Sequence, residues 1–296
     1  MGYLFLLIAV LAGATKGYCG KKTSGFMTEY TDSILANVIR MVLCTAIGLV
    51  MVAALNPISD LFAFDGGTMW IMLLSGVANS AFVVLWLVSV KRGAYMMLDV
   101  FCMLGILIPM IGCAVLFDEK ILPKNIVAVI LLLISVCIMC SYNNVIKEKL
   151  SIASFVLLLF CSVASGMSDF SQKLFVKTNE NGSIAVFNFY TYLFSTVILI
   201  LCYFLFSATG KKHAAFPFKS IFPYILVMSI CLFANSYFKT LAAKHLDAAV
   251  LYPLSQGSSL FLSTVMSAVL FKERLTPKCI VGIVIAFVAL CINVLA

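Results

Sequence analysis

The chain reads as ten apolar runs separated by short polar breaks, covering approximately residues 2–20, 33–55, 68–90, 94–117, 124–142, 151–173, 183–207, 220–242, 247–271 and 278–295. Most are close to the ~20 residues a helix needs to cross a hydrocarbon core. They are continuous rather than alternating, which predicts helices and not the strands of a barrel. In the first half the breaks read KKTSGFMTEYTD, NPISDLFAFDGG, KRG, DEKILPK and NNVIKEK. In the second half they read VKTNENG, ATGKKHAAFPFK, AKHLD and KERLTPK. None is long enough for a large extramembrane domain. The opening MGYLFLLIAVLAGATKGY lacks a basic n-region, so it reads as a first span and not as a cleaved signal peptide.

An internal repeat organises these runs. AVLFDEKILPKNIV at 114–127 aligns without gaps on AVLFKERLTPKCIV at 268–281, with nine of 14 positions identical. ANSAF at 78–82 pairs with ANSYF at 234–238, so the two matches differ in offset by two residues. The halves are therefore about 1–148 and 149–296, with five spans each. Five is odd, so the second half enters the membrane from the opposite side. The expected fold is an all-α polytopic membrane protein, with ten transmembrane helices in two inverted five-helix repeats around a central cavity. Inverted repeats of this kind bind substrate near the midplane and expose it by rocking one half against the other.

Composition narrows the function classes. The 296 residues are 63% apolar and 11% charged, with a mean hydropathy of +1.13. That excludes a soluble enzyme, a disordered chain and a nucleic-acid binder. The net charge of +8 reads as Lys and Arg kept at helix ends. Connections after odd-numbered spans carry most of these cations, including Lys21, Lys22, Lys91, Arg92, Lys147, Lys149, Lys211, Lys212, Lys219, Lys272, Arg274 and Lys278. Those after even-numbered spans hold Lys120, Lys124, Lys173, Lys177 and Lys244, and the break at 56–67 holds only Asp60 and Asp65. By the positive-inside rule both termini lie outside. Cys44, Cys102, Cys113, Cys137, Cys140, Cys161, Cys202, Cys231 and Cys291 all fall within apolar runs, which suits small buried hydrophobes better than disulfides or metal ligands. Cys137 and Cys140 form a CxxC with no His or Cys partner nearby in sequence.

LFDEKILPK and LFKERLTPKCIVGIVI, each closing one span and opening the next, resemble the EamA-type carriers of the drug/metabolite transporter superfamily. Pro109, Gly166, Lys173 and Arg40 fit the same pattern, and the resemblance runs through both halves. It implies a basket of ten helices and secondary transport of small metabolites, often export of amino acids or related compounds. It also implies both ends in the cytoplasm, which the charge count contradicts. The small multidrug relatives carry an acid in their first span. This chain has Lys16 there, which argues against efflux of hydrophobic cations by that route. The expected partners are a small-molecule substrate and the bilayer, in the inner membrane of a prokaryote, with no nucleic acid and no cofactor. Monomer and homodimer remain open. The alternative is an accessory or flippase-like subunit without transport of its own.

Ionisable groups inside spans are costly and default to functional candidates. They are Lys16, Arg40, Asp99, Asp169, Lys173 and Lys239. Lys16 and Lys173 stand near span ends, where they are expected to snorkel. Arg40 lies deeper and either pairs with an acid or faces an anionic substrate. Asp99 follows a short connection, where a helix dipole favours a carboxylate. Asp169 and Lys173 are four residues apart and are expected to satisfy each other. Lys239, with Asn235 one turn before it, is the best single cavity cation.

The ninth span carries a polar stripe of Tyr252, Gln256, Ser259, Ser263 and Ser267 on one face, with Ser255 beside it. Tyr252 and Gln256 are too large for packing glue and point to a cavity; the serines suit close packing or a cavity lining. Asn79 and Trp86 share a face of the third span, and Asn79 corresponds to Asn235. The two asparagines either bind substrate or brace helices. Glu119 and Glu273 recur in short loops flanked by Lys or Arg and read as local anchors capping the helix that follows. His213 and His245 fall at loop positions. No Ser/His/Asp set, zinc spacing or phosphate loop occurs, so no enzymatic activity is expected.

Overall fold

The structure is a computed structural model that describes residues 1–24, 26, 30–62, 64–91, 101–140, 152–207, 218–270 and 277–295. Among these residues there are ten α-helices and no strand. They are α1 (Gly2–Ser24), α2 (Tyr30–Leu55), α3 (Gly66–Lys91), α4 (Leu107–Phe117), α5 (Pro123–Cys140), α6 (Ile152–Thr178), α7 (Ile184–Ser207), α8 (Phe218–Ala243), α9 (Ala248–Leu270) and α10 (Pro277–Leu295). A 3-10 turn, Ile58–Leu61, lies between α2 and α3. Each apolar run contains one of these helices.

Six helices are long and apolar enough to cross a membrane: Gly2–Gly20, Thr31–Leu55, Gly66–Trp86, Phe155–Thr178, Ile184–Ser207 and Phe218–Ala243. Shorter apolar stretches occupy Phe101–Phe117, Pro123–Ser135 and Ile280–Asn293. Large hydrophobic side chains such as Val50, Phe160, Phe204, Leu205 and Phe287 face outward, as they must when the outer solvent is lipid. The chain is an all-α integral membrane protein.

Packing is selective. α1 runs along α8, α3 along α6, α2 against α7 and α5 against α10. α7 also meets α3, α2 meets α8, α4 meets α6 and α1 meets α9. In lipid, close packing needs small residues at the seams. A Cβ on Gly166 of α6 would lie 2.3 Å from the Gly105 carbonyl oxygen, and one on Gly105 would lie 2.6 Å from that of Ser162. Gly105 also marks a break: the helical turn at 101–104 gives way to a bend before α4 begins at Leu107. Gly48 lets α2 close on Phe189 of α7, and Gly76 lets α3 close on Phe194.

The connections α2–α3, α4–α5, α6–α7 and α8–α9 meet on one face. Asn179 donates to Thr68, which donates to Asp65. Ser183 donates to Asn56 at 2.9 Å and Tyr190 to the Leu61 carbonyl at 2.9 Å. The Lys244 ammonium donates to the Glu180 carbonyl at 3.2 Å. A polar pocket of about 390 Å³ opens here, edged by Asn56, Asp60, Asp65, Thr68, Asn179 and Ser183. The hydroxyl and amide of Thr68 hold the Asp65 carboxyl below its ordinary value. Elsewhere, Asn125 of α5 donates to Asn293 of α10 at 2.7 Å, and Ser135 donates to the Gly282 carbonyl at 2.6 Å. Those bonds fix the register of the α5–α10 pair.

Candidate functional site

α6 carries the charged core. Its polar residues at 165, 168, 169, 172 and 173 recur at helical spacing, so a single stripe turns inward from an otherwise apolar helix. Two ion pairs leave it in different directions.

The first joins Asp169 to Lys239 of α8. Asp169 is buried and Lys239 is nearly so, with side chains 7% and 12% exposed. Tyr252 of α9 is fully buried and donates its hydroxyl to the backbone carbonyl of Asp169 at 2.6 Å. Three helices are thereby tied at one level. The pair expected between Asp169 and Lys173 is replaced by this one. Neighbours four apart on an exposed helix gain only tenths of a kcal/mol from each other, roughly 0.2–0.5. Partners drawn from different helices shield each other from lipid on every side.

The second ion pair corrects two further expectations. Lys173 does not snorkel: its side chain is 2% exposed, and its ammonium lies 3.1 Å from Glu119 of the α4–α5 connection. It also donates to the carbonyls of Ala243 at 2.9 Å and Leu246 at 2.5 Å. Lys177, one turn on, reaches the same Glu119 oxygen at 3.0 Å. Glu119 is therefore a long-range anchor. Its other oxygen accepts the amide of Ala248 at 2.8 Å and so caps α9. The helix following Glu119 is served instead by Asn125, whose side-chain oxygen accepts the Leu122 amide at 3.0 Å. The turn that aims Glu119 inward depends on Asp118, which takes a left-handed backbone with φ of 52°. Burial pushes the Glu119 carboxyl up, but the Ala248 amide and the two ammonium groups outweigh it and hold the group below its ordinary value.

The remaining candidates divide clearly. Asn79 donates to Ser195 of α7 at 3.0 Å, and Asn235 donates to the Ala9 carbonyl of α1 at 2.6 Å. Both asparagines brace neighbouring helices. A chain of bonds runs from Gln172 to Ser236 at 3.4 Å and on to Asn188 at 2.6 Å. The carbonyl oxygen of Gln172 is buried without a donor. Trp86 packs with Phe101, Leu158 and Cys161. Gln256 and Ser259 are half-buried on α9. Ser259 lies near the seam where a Cβ on Gly13 would also touch Asn235. His245 is exposed, its ring 6.0 Å from that of Phe5. Asp99, Glu273 and His213 lie outside the described residues, as do the side chains of Ser263 and Ser267.

Arg40 sits deeper than a span end, whereas Lys16 stands four residues before the end of the Gly2–Gly20 span. Arg40 lies near the middle of α2, and its carbonyl accepts the hydroxyl of Ser229, itself near the middle of α8, at 3.3 Å. Lys16 is within electrostatic reach of Arg40, Lys239 and Asp169. Among the described residues, no group of three or more His, Cys, Asp or Glu converges as a metal site would need.

The Asp169–Lys239 pair sets up a direct measurement. Asp169→Asn should lower thermal stability in detergent, because an ammonium stays buried without its counter-charge. Adding Lys239→Met should restore part of the loss, giving a coupling of about 0.5–3 kcal/mol. Simple additivity of the two substitutions would mean that the pair is not formed.

No family model matches this chain, and no curated protein does. Among the solved structures it resembles is a crystal structure similar over 99% of this chain and 96% of its own, with a TM-score of 0.79 at 15% sequence identity. At that identity the likeness carries the fold, over nearly its whole length.

Proposed function

We propose that the protein is a secondary carrier that moves small polar or amphiphilic metabolites, amino acids among them, across a membrane by alternating access. One observation carries this reading: charged and amide side chains of α6 and α8, with Tyr252 of α9, are buried against one another inside an apolar helical bundle. Such groups are expensive in a membrane and are characteristic of pathways.

The packing supports two inverted five-helix repeats, 1–148 and 149–296, spanning ten times. If each helix corresponds to the one five places later, the contact α1–α8 becomes α6–α3, α3–α7 becomes α8–α2, and α4–α6 becomes α9–α1. All six contacts occur, and α2–α7 and α5–α10 map onto themselves. Rocking one half against the other would open each side in turn. Bonds between connections tie together the face bearing Glu119. Lys173 and Lys177, two of the few cations on that face, are both bound to Glu119. That leaves the opposite face the more basic and supports placing it in the cytoplasm.

Reconstituted vesicles test the proposal. Saturable uptake or counterflow of at least one metabolite from a broad panel is expected, together with its loss in Lys239→Ala or Gln256→Ala. Wild-type vesicles inert to the whole panel would favour an accessory subunit instead.

A further inference from the structure

Among the described residues, the charges inside the bundle do not balance. Lys16 on α1 stands within electrostatic reach of Arg40 on α2, of Lys239 on α8 and of one described carboxylate, Asp169 on α6. Asp169 is occupied by Lys239. No described carboxylate forms an ion pair with Lys16 or Arg40, and the Arg40 Nε is buried with no hydrogen-bond partner.

The depth of these cations follows from backbone contacts. The Arg40 carbonyl meets Ser229 at mid-α8. α1 runs antiparallel to α8: Ala9 meets Asn235, and Gly20 faces Met228. Lys16 lies between those two contacts and is therefore level with the same central stretch of α8. Arg40 is thus held about ten residues from the nearer end of its helix, where snorkelling to water is long, while Lys16 stands nearer the end of its span.

A half-buried cation inside a span with no described counter-charge is a standing cost that a fold would shed unless something else meets it. Neutral residues of similar volume would pack α1 and α2 against α8 more stably. Retaining the cations makes sense if their partner arrives from outside. A guanidinium presents a planar fork that matches carboxylate and phosphate alike, and an ammonium adds a point charge.

We propose that this site binds a small organic anion, with its carboxylate or phosphate held between Arg40 and Lys16. Asp169 is already paired with Lys239, so it does not cancel the positive charge of the other two groups. The inference rests on the carrier reading for what becomes of the bound anion.

Calorimetry on the full chain in lipid nanodiscs tests it with four probes: succinate, glycerol phosphate, glycerol and choline. Saturable binding of succinate or glycerol phosphate is expected, with neither glycerol nor choline binding. Whichever anion binds identifies the group as carboxylate or phosphate. Arg40→Gln and Lys16→Gln should each weaken that binding at least tenfold. Neither should lower thermal stability, since each removes an unpaired cation. Binding of glycerol or choline in place of the anions would overturn the inference, as would binding of none of the four. Anion binding untouched by both variants would overturn it too. Counterflow in vesicles separates the two readings. Bound anion without counterflow removes the carrier and leaves the site. Counterflow of choline or glycerol without anion binding does the reverse.

Discussion

Glu119→Gln lowers the stability of the protein by about 3–5 kcal/mol, the usual cost of leaving one member of a buried ion pair alone. A Gln can still accept the Ala248 amide, so the cap on α9 survives. It offers Lys173 no charge, and that ammonium keeps only the carbonyls of Ala243 and Leu246. Lys177 is about one-third exposed and turns to water at little cost. The loss is therefore concentrated in one buried cation. Pairing Glu119→Gln with Lys173→Met should recover much of it. Thermal unfolding in detergent reads both changes, and a Glu119→Gln variant as stable as wild type would show that the connection does not hold α6.

The same group gives a pH signature. The folded-state pKa of Glu119 lies below the ordinary value of 4.5, so the carboxylate stabilises the fold above that value. The contribution falls away as the pH drops from 4.5 through the depressed folded value. The stability gap between wild type and Glu119→Gln should be constant above that window and should close below it.

Gly166→Ala has the second large effect. The added methyl would begin 2.3 Å from the Gly105 carbonyl oxygen and 2.9 Å from Ile108 Cδ1. Side-chain overpacking costs roughly 1–3 kcal/mol when neighbours can rotate away. A backbone carbonyl cannot, so α4 and α6 must separate. That motion draws Lys173 away from Glu119 as well. We expect little monodisperse protein on size exclusion. Gly17→Ala serves as the control: its Cβ meets nothing within 4 Å, and it should behave as wild type. A Gly166→Ala protein that elutes and melts like wild type would contradict the α4–α6 contact.

The apolar runs located all ten helices because, in lipid, the length of a run is itself the structural constraint. Pairing was harder to read. Asp169 and Lys173 looked complete as an i, i+4 pair, yet each finds its partner on another element. Sequence spacing reports neighbours along a helix and is silent about which groups converge when helices cross. The recurrence of Glu at 119 and 273 was the available signal for a structural role. Its flanking Lys residues suggested a local one, whereas the partners stand more than fifty residues away. Tyr252, Asn79 and Asn235 stand out in the sequence, but Tyr252 and Asn235 meet backbone carbonyls of distant helices and Asn79 meets the Ser195 hydroxyl, partners that no helix-face pattern encodes.

The α5–α10 pair has a consequence for how the chain is made. α5 is synthesised about 140 residues before the helix that supplies its main partner, an interval of roughly ten seconds at ordinary translation rates. For that time Asn125 and Ser135 lack the acceptors that α10 later brings. The nascent protein thus carries a half-built polar seam in the bilayer, where a holding factor could bind it. Any delay in delivering α10 prolongs that exposure.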